Sequence, residues 1–187
     1  MTGDEYIKCA LRTESDKFCI DMVSPRIIHA ASGIVTEAGE LLEAVTRKRI
    51  DKINIVEELG DITWYSALMM DALGLAFDDL GNITNVRVRY VALEVASDIC
   101  IEACRIQDVV KRGLFYGEID YDRIRLGLRS IYAILNAIAV CEGATLSHIW
   151  NANIKKLKGR YPDKFDVNRS LDRDTDKERD AIESSLT

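Results

Sequence analysis

Two pairs of carboxylates have the residue types and spacing of a metal site. Glu37 and Glu40 lie three residues apart, as do Glu58 and Asp61, so each pair projects from one face of a helix. The connection between the two segments is short, which predicts an antiparallel hairpin. A hairpin folded about residue 49 places Glu37 level with Asp61 and Glu40 level with Glu58.

Four facing carboxylates repel one another, and some would hold protons at neutral pH without a counter-charge. A hard divalent cation removes this conflict. Oxygen ligands suit Mg²⁺, or alternatively Mn²⁺, and Mg²⁺ commonly completes its shell with substrate phosphates. The alternative is two solvated helix faces whose acidic residues pair with nearby Lys or Arg. Two pairs in register favour the metal site.

A cluster of cations follows late in the chain, within residues 153–162. Lys156 and Arg160 lie one helical turn apart and are candidates for binding the phosphates of a nucleotide, since Arg suits bidentate phosphate contacts. The alternative is a favourable interaction of these cations with the end of a helix dipole. Charge alone leaves both interpretations open.

Aromatic residues flank both motifs and are candidates for contact with a base or ribose. His29 lies two turns before Glu37, and Trp64 lies one turn after Asp61. Tyr65 and Tyr161 are further candidates. The alternative role for these side chains is packing in the core or at its rim.

The elements that must position these residues are helices. Apolar residues recur at helical spacing and long alternating runs are absent, so the sequence predicts an all-α fold. Ser24 and Pro25 begin one helix, Asn54 caps the next with Glu57 as capping-box partner, and Thr145 caps the last. The predicted helices span residues 5–12, 26–47, 54–73, 86–112, 121–141 and 146–158. Gly74 ends the third, Gly113 and Gly117 the fourth, and Gly143 the fifth.

The helical segments also suggest an internal repeat. Residues 31–47 and 96–112 are identical at seven of 17 positions. Two helical hairpins, at about 26–74 and 86–142, would pack as a four-helix core with peripheral helices. Chance similarity between two amphipathic helices is the alternative.

The second hairpin is degenerate in the residues that would bind metal. Glu37 aligns with Glu102, but the other three carboxylates align with Arg105, Arg125 and Leu128. We therefore expect one metal site per chain, with the second hairpin as scaffold or pocket wall. Its arginines would form surface salt bridges or, alternatively, contact phosphates.

Length, charge and composition limit the functional class. The chain has 187 residues and a net charge of −6, which disfavours a nucleic-acid binder. No apolar run approaches a membrane span and the acidic N-terminus does not resemble a signal peptide, so we expect a cytoplasmic protein without membrane contact. The five cysteines are expected to be small core residues. We expect one domain over residues 1–165 and a disordered, charged tail over residues 166–187.

The motifs together resemble a known family. The strings EAGELLEAV, EELGDITWYSALMMDALGL and NANIKKLKGRYPDKF resemble the MazG-like all-α nucleoside triphosphate pyrophosphohydrolases, which are related to dimeric dUTPases. The family signature is ExxE, a spacer, then ExxD, and here 17 residues separate Glu40 from Glu58. The late NxxKLxxRYP pattern of the family is met at residues 153–162.

This resemblance implies Mg²⁺-dependent hydrolysis of an NTP or dNTP to the monophosphate and pyrophosphate. It implies that Glu37, Glu40, Glu58 and Asp61 hold one or more ions, which bridge triphosphate oxygens and orient the attacking water. Glu37 and Glu40 are the candidates for general base.

Oligomeric state and substrate stay open on this resemblance. Members with a single module usually dimerise, whereas a duplicated chain resembles a fused dimer, so a homodimer is one of two expected states. Base and sugar preference also stay open. The alternative function is a catalytically inactive helical module that binds a nucleotide or a protein partner.

Overall fold

The computed structural model of this protein describes residues 1–81 and 92–186, apart from the side chain of Leu186. This part of the chain is helical and contains no strand, which confirms the predicted all-α class. Short 3₁₀ turns lie at Ile20–Met22 and Phe77–Leu80. The helices are α1 Gly3–Leu11, α2 Pro25–Thr46, α3 Lys52–Ala72, α4 Ala92–Tyr116, α5 Tyr121–Cys141, α6 Leu146–Arg160, α7 Val167–Leu171 and α8 Thr175–Leu186.

The core lies between helices α2 to α5. Helix α2 packs along both α3 and α4, and α5 packs along α4. Apolar side chains from all four helices are buried there, including Ile34, Leu59, Ile106 and Ile131. Helix α6 packs against α3, and α8 packs against α6. The helical core with peripheral helices is therefore as predicted, and α3 connects the core to the outer pair.

The beginning of α2 is confirmed and that of α3 is corrected. Ser24 caps α2 by accepting a hydrogen bond from the Ile27 N–H (3.3 Å). Helix α3 begins before the predicted cap, because Asp51 accepts hydrogen bonds from the N–H groups of Ile53 (3.0 Å) and Asn54 (3.4 Å). Glu57 is therefore not a capping-box partner, and its carboxylate is available to pair with cations.

Helix α4 continues beyond its predicted end. Gly113 was expected to break the helix, but it is a buried residue inside α4. A glycine is required at this position because the helix backbone contacts Val23 closely. A Cβ at Gly113 would lie 2.6 Å from Val23 Cγ2. The helix ends at Tyr116, before Gly117, which has a φ of +72°. The predicted start of this helix, near residue 86, lies outside the described residues.

Helix α5 departs from the expectation that no segment is long and apolar enough to span a membrane. By length and composition it qualifies, with a mean hydropathy of 1.5. Core helices meet the same criteria. Here Ile124, Leu128, Ile131 and Leu135 are buried against the other helices, so the described contacts are those of a core helix.

The cysteines are not the core residues that were expected. All five are free, and none is fully buried. Cys100 comes closest, since its thiol donates a hydrogen bond to the Ala38 carbonyl (3.1 Å) between α4 and α2. The prediction failed because small apolar residues, mainly alanine, fill the tightest helix contacts instead.

The charged C-terminal segment is ordered where the sequence predicted disorder. Residues after 166 form α7 and α8, and α8 lies along α6. Ile182 is 1% exposed, whereas Val167 and Leu171 remain exposed. Arg179 donates two hydrogen bonds to Asp51 (2.7 and 3.1 Å). One apolar anchor and several ion pairs therefore dock a segment whose composition resembles that of a disordered tail.

Candidate active site

The hairpin of α2 and α3 is closely packed where it carries the carboxylates. Gly33 on α2 faces Tyr65 on α3, and a Cβ at Gly33 would lie 2.1 Å from Tyr65 Cδ1. Only a residue without a side chain allows this approach of the ring to the α2 backbone. The contact brings the acidic turns of both helices to the same end of the hairpin.

Three of the four predicted carboxylates converge. Glu37, Glu40 and Glu58 each offer an oxygen, and these oxygens all lie within 4.8 Å of one another. Glu58 is buried, Glu37 is half-buried and Glu40 is exposed. Oxygens that share one ion at about 2.0–2.6 Å lie up to roughly 4–5 Å apart. The three side chains therefore fit a single hard cation with small adjustments.

Burial and mutual repulsion dominate the electrostatics of Glu37 and Glu58, and the nearby Lys156 and Arg173 offset them only in part at Glu37. Burial, followed by repulsion from Asp61 and Glu40, raises the pKa of Glu37 to about 7. Burial, followed by repulsion from Glu40 and Asp61, raises the pKa of Glu58 to about 8. The largest charge effect on Glu37 comes from Asp61, and the largest on Glu58 comes from Glu40. These are the residues that the hairpin register predicted to face them. A bound cation would relieve this repulsion.

Asp61 is oriented differently from the other three carboxylates. Its Oδ1 accepts a hydrogen bond from Asn153 Nδ2 (2.6 Å), and its Oδ2 pairs with Lys156 Nζ (2.5 Å). Gly60 makes room for this contact, since a Cβ there would lie 2.9 Å from Asn153 Nδ2. Asp61 therefore joins the carboxylate end of the hairpin to α6.

The two cations predicted to bind phosphates are engaged with carboxylates. The Lys156 side chain is fully buried, and its Nζ also contacts Glu57 Oε1 at 3.1 Å. Arg160 donates two hydrogen bonds to Glu178, from Nε (2.6 Å) and Nη2 (2.5 Å). Lys156 is thus an internal counter-charge of the site, while Arg160 reaches the wall of the adjacent cavity.

This cavity has a volume of about 760 Å³ and lies directly over the carboxylates. That volume is within the range of small-molecule sites. Its lining contains both carboxylates and arginines, so it offers charges of both signs to a ligand. The lining includes His29, Glu37, Glu40, Glu58, Asp61, Trp64, Tyr65, Arg160, Tyr161, Phe165, Arg173 and Arg179.

The predicted nucleoside contacts line the same cavity. His29 stacks edge-on against Tyr65, with ring centroids 5.4 Å apart, and Trp64 packs edge-on against Tyr65 at 4.9 Å. Tyr161 lies 5.4 Å from Phe165, and its hydroxyl hydrogen-bonds with Ser170 Oγ (2.6 Å). Aromatic surface is therefore available beside the charged groups.

Sequence reasoning missed the contribution of the C-terminal segment. Arg173, Thr175, Asp176 and Arg179 all line the cavity. The sequence does contain a helix-start signal, since Asp174 precedes a first turn with the acidic residues Asp176 and Glu178. In the structure Asp174 accepts a hydrogen bond from the Lys177 N–H (3.2 Å). The high charge of the segment led to the prediction of disorder instead of a helix.

Comparison with known proteins agrees with the position of the site. Residues 28–80 match the family model of the MazG nucleotide pyrophosphohydrolase domain. The match covers most of α2, all of α3 and the four carboxylates, and it confirms the MazG-like assignment for this part of the chain. Neither the curated proteins nor the solved structures gave a match.

Proposed function

We propose that this protein, whose residues 28–80 form a MazG nucleotide pyrophosphohydrolase domain, hydrolyses a nucleoside or deoxynucleoside triphosphate to the monophosphate and pyrophosphate. The domain supports nucleotide pyrophosphohydrolase activity in general. The observation that carries the finer proposal is the convergence of Glu37, Glu40 and Glu58 within 4.8 Å beneath a nucleotide-sized cavity. We further propose that the protein acts in the cytoplasm on free nucleotides.

The metal in this proposal is Mg²⁺, with Mn²⁺ as a substitute. The donor set contains only carboxylate oxygens, which both ions prefer. Glu58 is a fixed ligand because it is buried, while Glu37 and Glu40 lie nearer the open side. When bound, such an ion neutralises charge on the triphosphate and activates water.

The remaining chemistry belongs to the side chains. A carboxylate oxygen of Glu37 or Glu40 accepts the proton of the attacking water, and a base working at neutral pH benefits from a pKa near 7. Asp61 is held by Asn153 and Lys156, so it supports the site in one orientation. Arg160 lines the same cavity, where Glu178 holds its guanidinium.

The nucleoside would lie against the aromatic part of the cavity. His29, Trp64 and Tyr161 all line the cavity, and the rings of His29 and Trp64 contact each other edge-on. Stacking on such surfaces tolerates different bases. The motif therefore does not predict which base is preferred, and the ranking of substrates has to be measured with a panel of nucleotides.

The test is release of pyrophosphate from a panel of canonical and modified NTPs and dNTPs, with Mg²⁺ and with EDTA. We expect metal-dependent release together with the matching monophosphate. If no nucleotide is hydrolysed with either Mg²⁺ or Mn²⁺, the proposed activity is wrong and the inactive binding module takes its place.

A further inference from the structure

The cations around the cavity differ in how far they are already neutralised. Lys156 is fully buried between two carboxylates. Arg179 is 45% exposed, but all three of its nitrogens already contact carboxylates, because Nη1 and Nη2 donate to Asp51 and Nε lies 3.2 Å from Glu183. The side chain of Arg160 is 15% exposed and donates twice to Glu178. These three cations have limited capacity to bind a new anion.

Arg173, between α7 and α8, is different. Its side chain is 43% exposed at the cavity. It donates to Glu178 from Nε (3.2 Å) and Nη2 (2.7 Å), and Nη2 has a longer contact to Glu57 (3.4 Å). Its Nη1 group has no hydrogen-bond partner among the described residues. The guanidinium is therefore fixed on one edge and available on the other.

The fixing group is itself firmly placed. Glu178 is a buried carboxylate on α8 that accepts hydrogen bonds from both Arg160 and Arg173. Burial would raise the pKa of Glu178, but the hydrogen bonds from Arg160 and Arg173 outweigh it and lower that pKa. Glu178 therefore carries one negative charge against the two positive charges of Arg160 and Arg173, and Glu57 is a longer partner of Arg173 (3.4 Å).

We propose that Arg173 binds the phosphate chain of the triphosphate, and that Glu178 positions its guanidinium for this contact. The inference rests on the proposed function for the identity of the ligand. It makes the C-terminal segment part of the substrate site. A planar guanidinium with free N–H donors suits contact with phosphate oxygens, and the Nη1 donors of Arg173 are available in the cavity that the carboxylates also line.

The docking of α8 explains why the guanidinium lies at the cavity at all. Arg179 joins α8 to the first turn of α3 through Asp51, and Lys155 donates to Ser184 (2.7 Å) from α6. Ile182 is buried beneath the helix. Each contact lies outside the carboxylate cluster, so loss of the segment would remove Arg173 and leave the metal ligands in place.

The test measures binding of inorganic triphosphate by calorimetry in the presence of Mg²⁺. This probe has no base, so it reports the phosphate contacts alone. We expect Arg173→Gln to weaken binding by roughly 10- to 100-fold, the range of hydrogen bonds to charged groups. Arg173→Ala serves as a second variant. Affinity for a nucleoside monophosphate and thermal stabilisation by Mg²⁺ alone should not change.

The matched control is Lys177→Gln. Lys177 is exposed on α8, four residues after Arg173, and pairs with Asp174; neither residue lines the cavity. This variant removes the same charge and should bind inorganic triphosphate like the wild type. An equal loss in the control and in the Arg173 variants would overturn the inference, because it would assign the effect to net charge.

The positioning role of Glu178 has its own readout. Glu178→Gln should weaken triphosphate binding, and the double variant with Arg173→Gln should lose little more than Arg173→Gln alone, since one contact depends on the other. Additive losses would contradict the positioning role.

Failure of the inference and failure of the proposed function are distinguishable. If both Arg173 variants bind inorganic triphosphate within about twofold of the wild type while nucleotides are hydrolysed, Arg173 is not a phosphate ligand and the function stands. If no nucleotide is hydrolysed but Arg173→Gln still weakens triphosphate binding, the phosphate site stands and the activity does not.

Discussion

The two helical hairpins of the core use similar sequence in opposite electrostatic ways. In α2–α3, Glu37, Glu40 and Glu58 bring carboxylate oxygens within 4.8 Å of one another. In α4–α5, Glu102 forms an ion pair with Arg105 on the same helix. Arg105 occupies the position that aligns with Glu40. One exchange of charge at helical spacing therefore separates a cluster of three carboxylates from an ion pair within one helix.

The comparison extends to the neighbours of each hairpin. The first hairpin receives a buried lysine from α6 and arginines from the C-terminal segment. In the second, Arg125 pairs with Asp122 within α5, as an exposed ion pair. Anions are thus concentrated in one hairpin and compensated from outside it, which is typical of a binding site. Common descent of the two hairpins stays a prediction.

The largest expected effect is on stability, at Lys156. Lys156→Met leaves Glu57 and Asp61 without their buried cation, which should lower the free energy of unfolding by about 3–5 kcal/mol. The matched control is Lys111→Met on α4, where the pair with Asp108 is exposed and the loss should stay below about 1 kcal/mol. Urea denaturation measures both. Equal losses would show that burial of Lys156 is unimportant.

The next effect is on activity, at Glu40. Glu40→Gln removes a proposed metal ligand that is exposed, so we expect at least a 100-fold loss of pyrophosphate release with little change in stability. Glu102→Gln, at the position aligned with Glu37, should retain activity within about twofold. Normal turnover by the Glu40 variant would remove this residue from the site.

The sequence predicted contacts between neighbouring helices of one hairpin better than contacts between helices that lie far apart in the chain. Helix period and a short connection predicted that Glu37, Glu40 and Glu58 face one another across the hairpin, and the structure brings their oxygens within 4.8 Å. Spacing could not show that Asp61 is turned towards Asn153 and Lys156, since that contact joins helices about 90 residues apart. The docked tail was missed for the same reason.

A third effect is the pH dependence of metal binding. The pKa of Glu58 is about 8, above its ordinary value of 4.5, so this group favours the metal-free folded state below pH 4.5 and loses that contribution as pH rises to 8. Protons compete with the cation, so Mg²⁺ should raise the melting temperature more at pH 8.5 than at pH 6. Cavity water screens the effect to about 1–2 kcal/mol.

Two variants test this assignment. Glu58→Gln should reduce the dependence on pH to the part that comes from Glu37, whose pKa is about 7, and should make the metal-free protein more stable at pH 8.5, because it removes a buried charge. Glu102→Gln in the second hairpin should keep the Mg²⁺ effect of the wild type. A shift by Mg²⁺ that is the same at both pH values would contradict the competition between protons and metal.

The smallest expected effect compares aligned glycines in the two hairpins. A Cβ at Gly60 would lie 2.9 Å from Asn153 Nδ2, and one at Gly127 would lie 2.8 Å from Ile106 Cγ1. Overpacking of about 1–3 kcal/mol, partly offset by helix propensity of about 1 kcal/mol, should destabilise both alanine variants by about 1 kcal/mol.

Activity should separate these two variants although their stabilities are similar. Gly60→Ala displaces the amide that holds Asp61, so we expect kcat/KM to fall about tenfold, as when an outer-shell partner is lost. Gly127→Ala displaces only an apolar side chain and should stay within about twofold. Equal kinetic losses would mean that general loosening of the core, rather than the orientation of Asp61, controls the site.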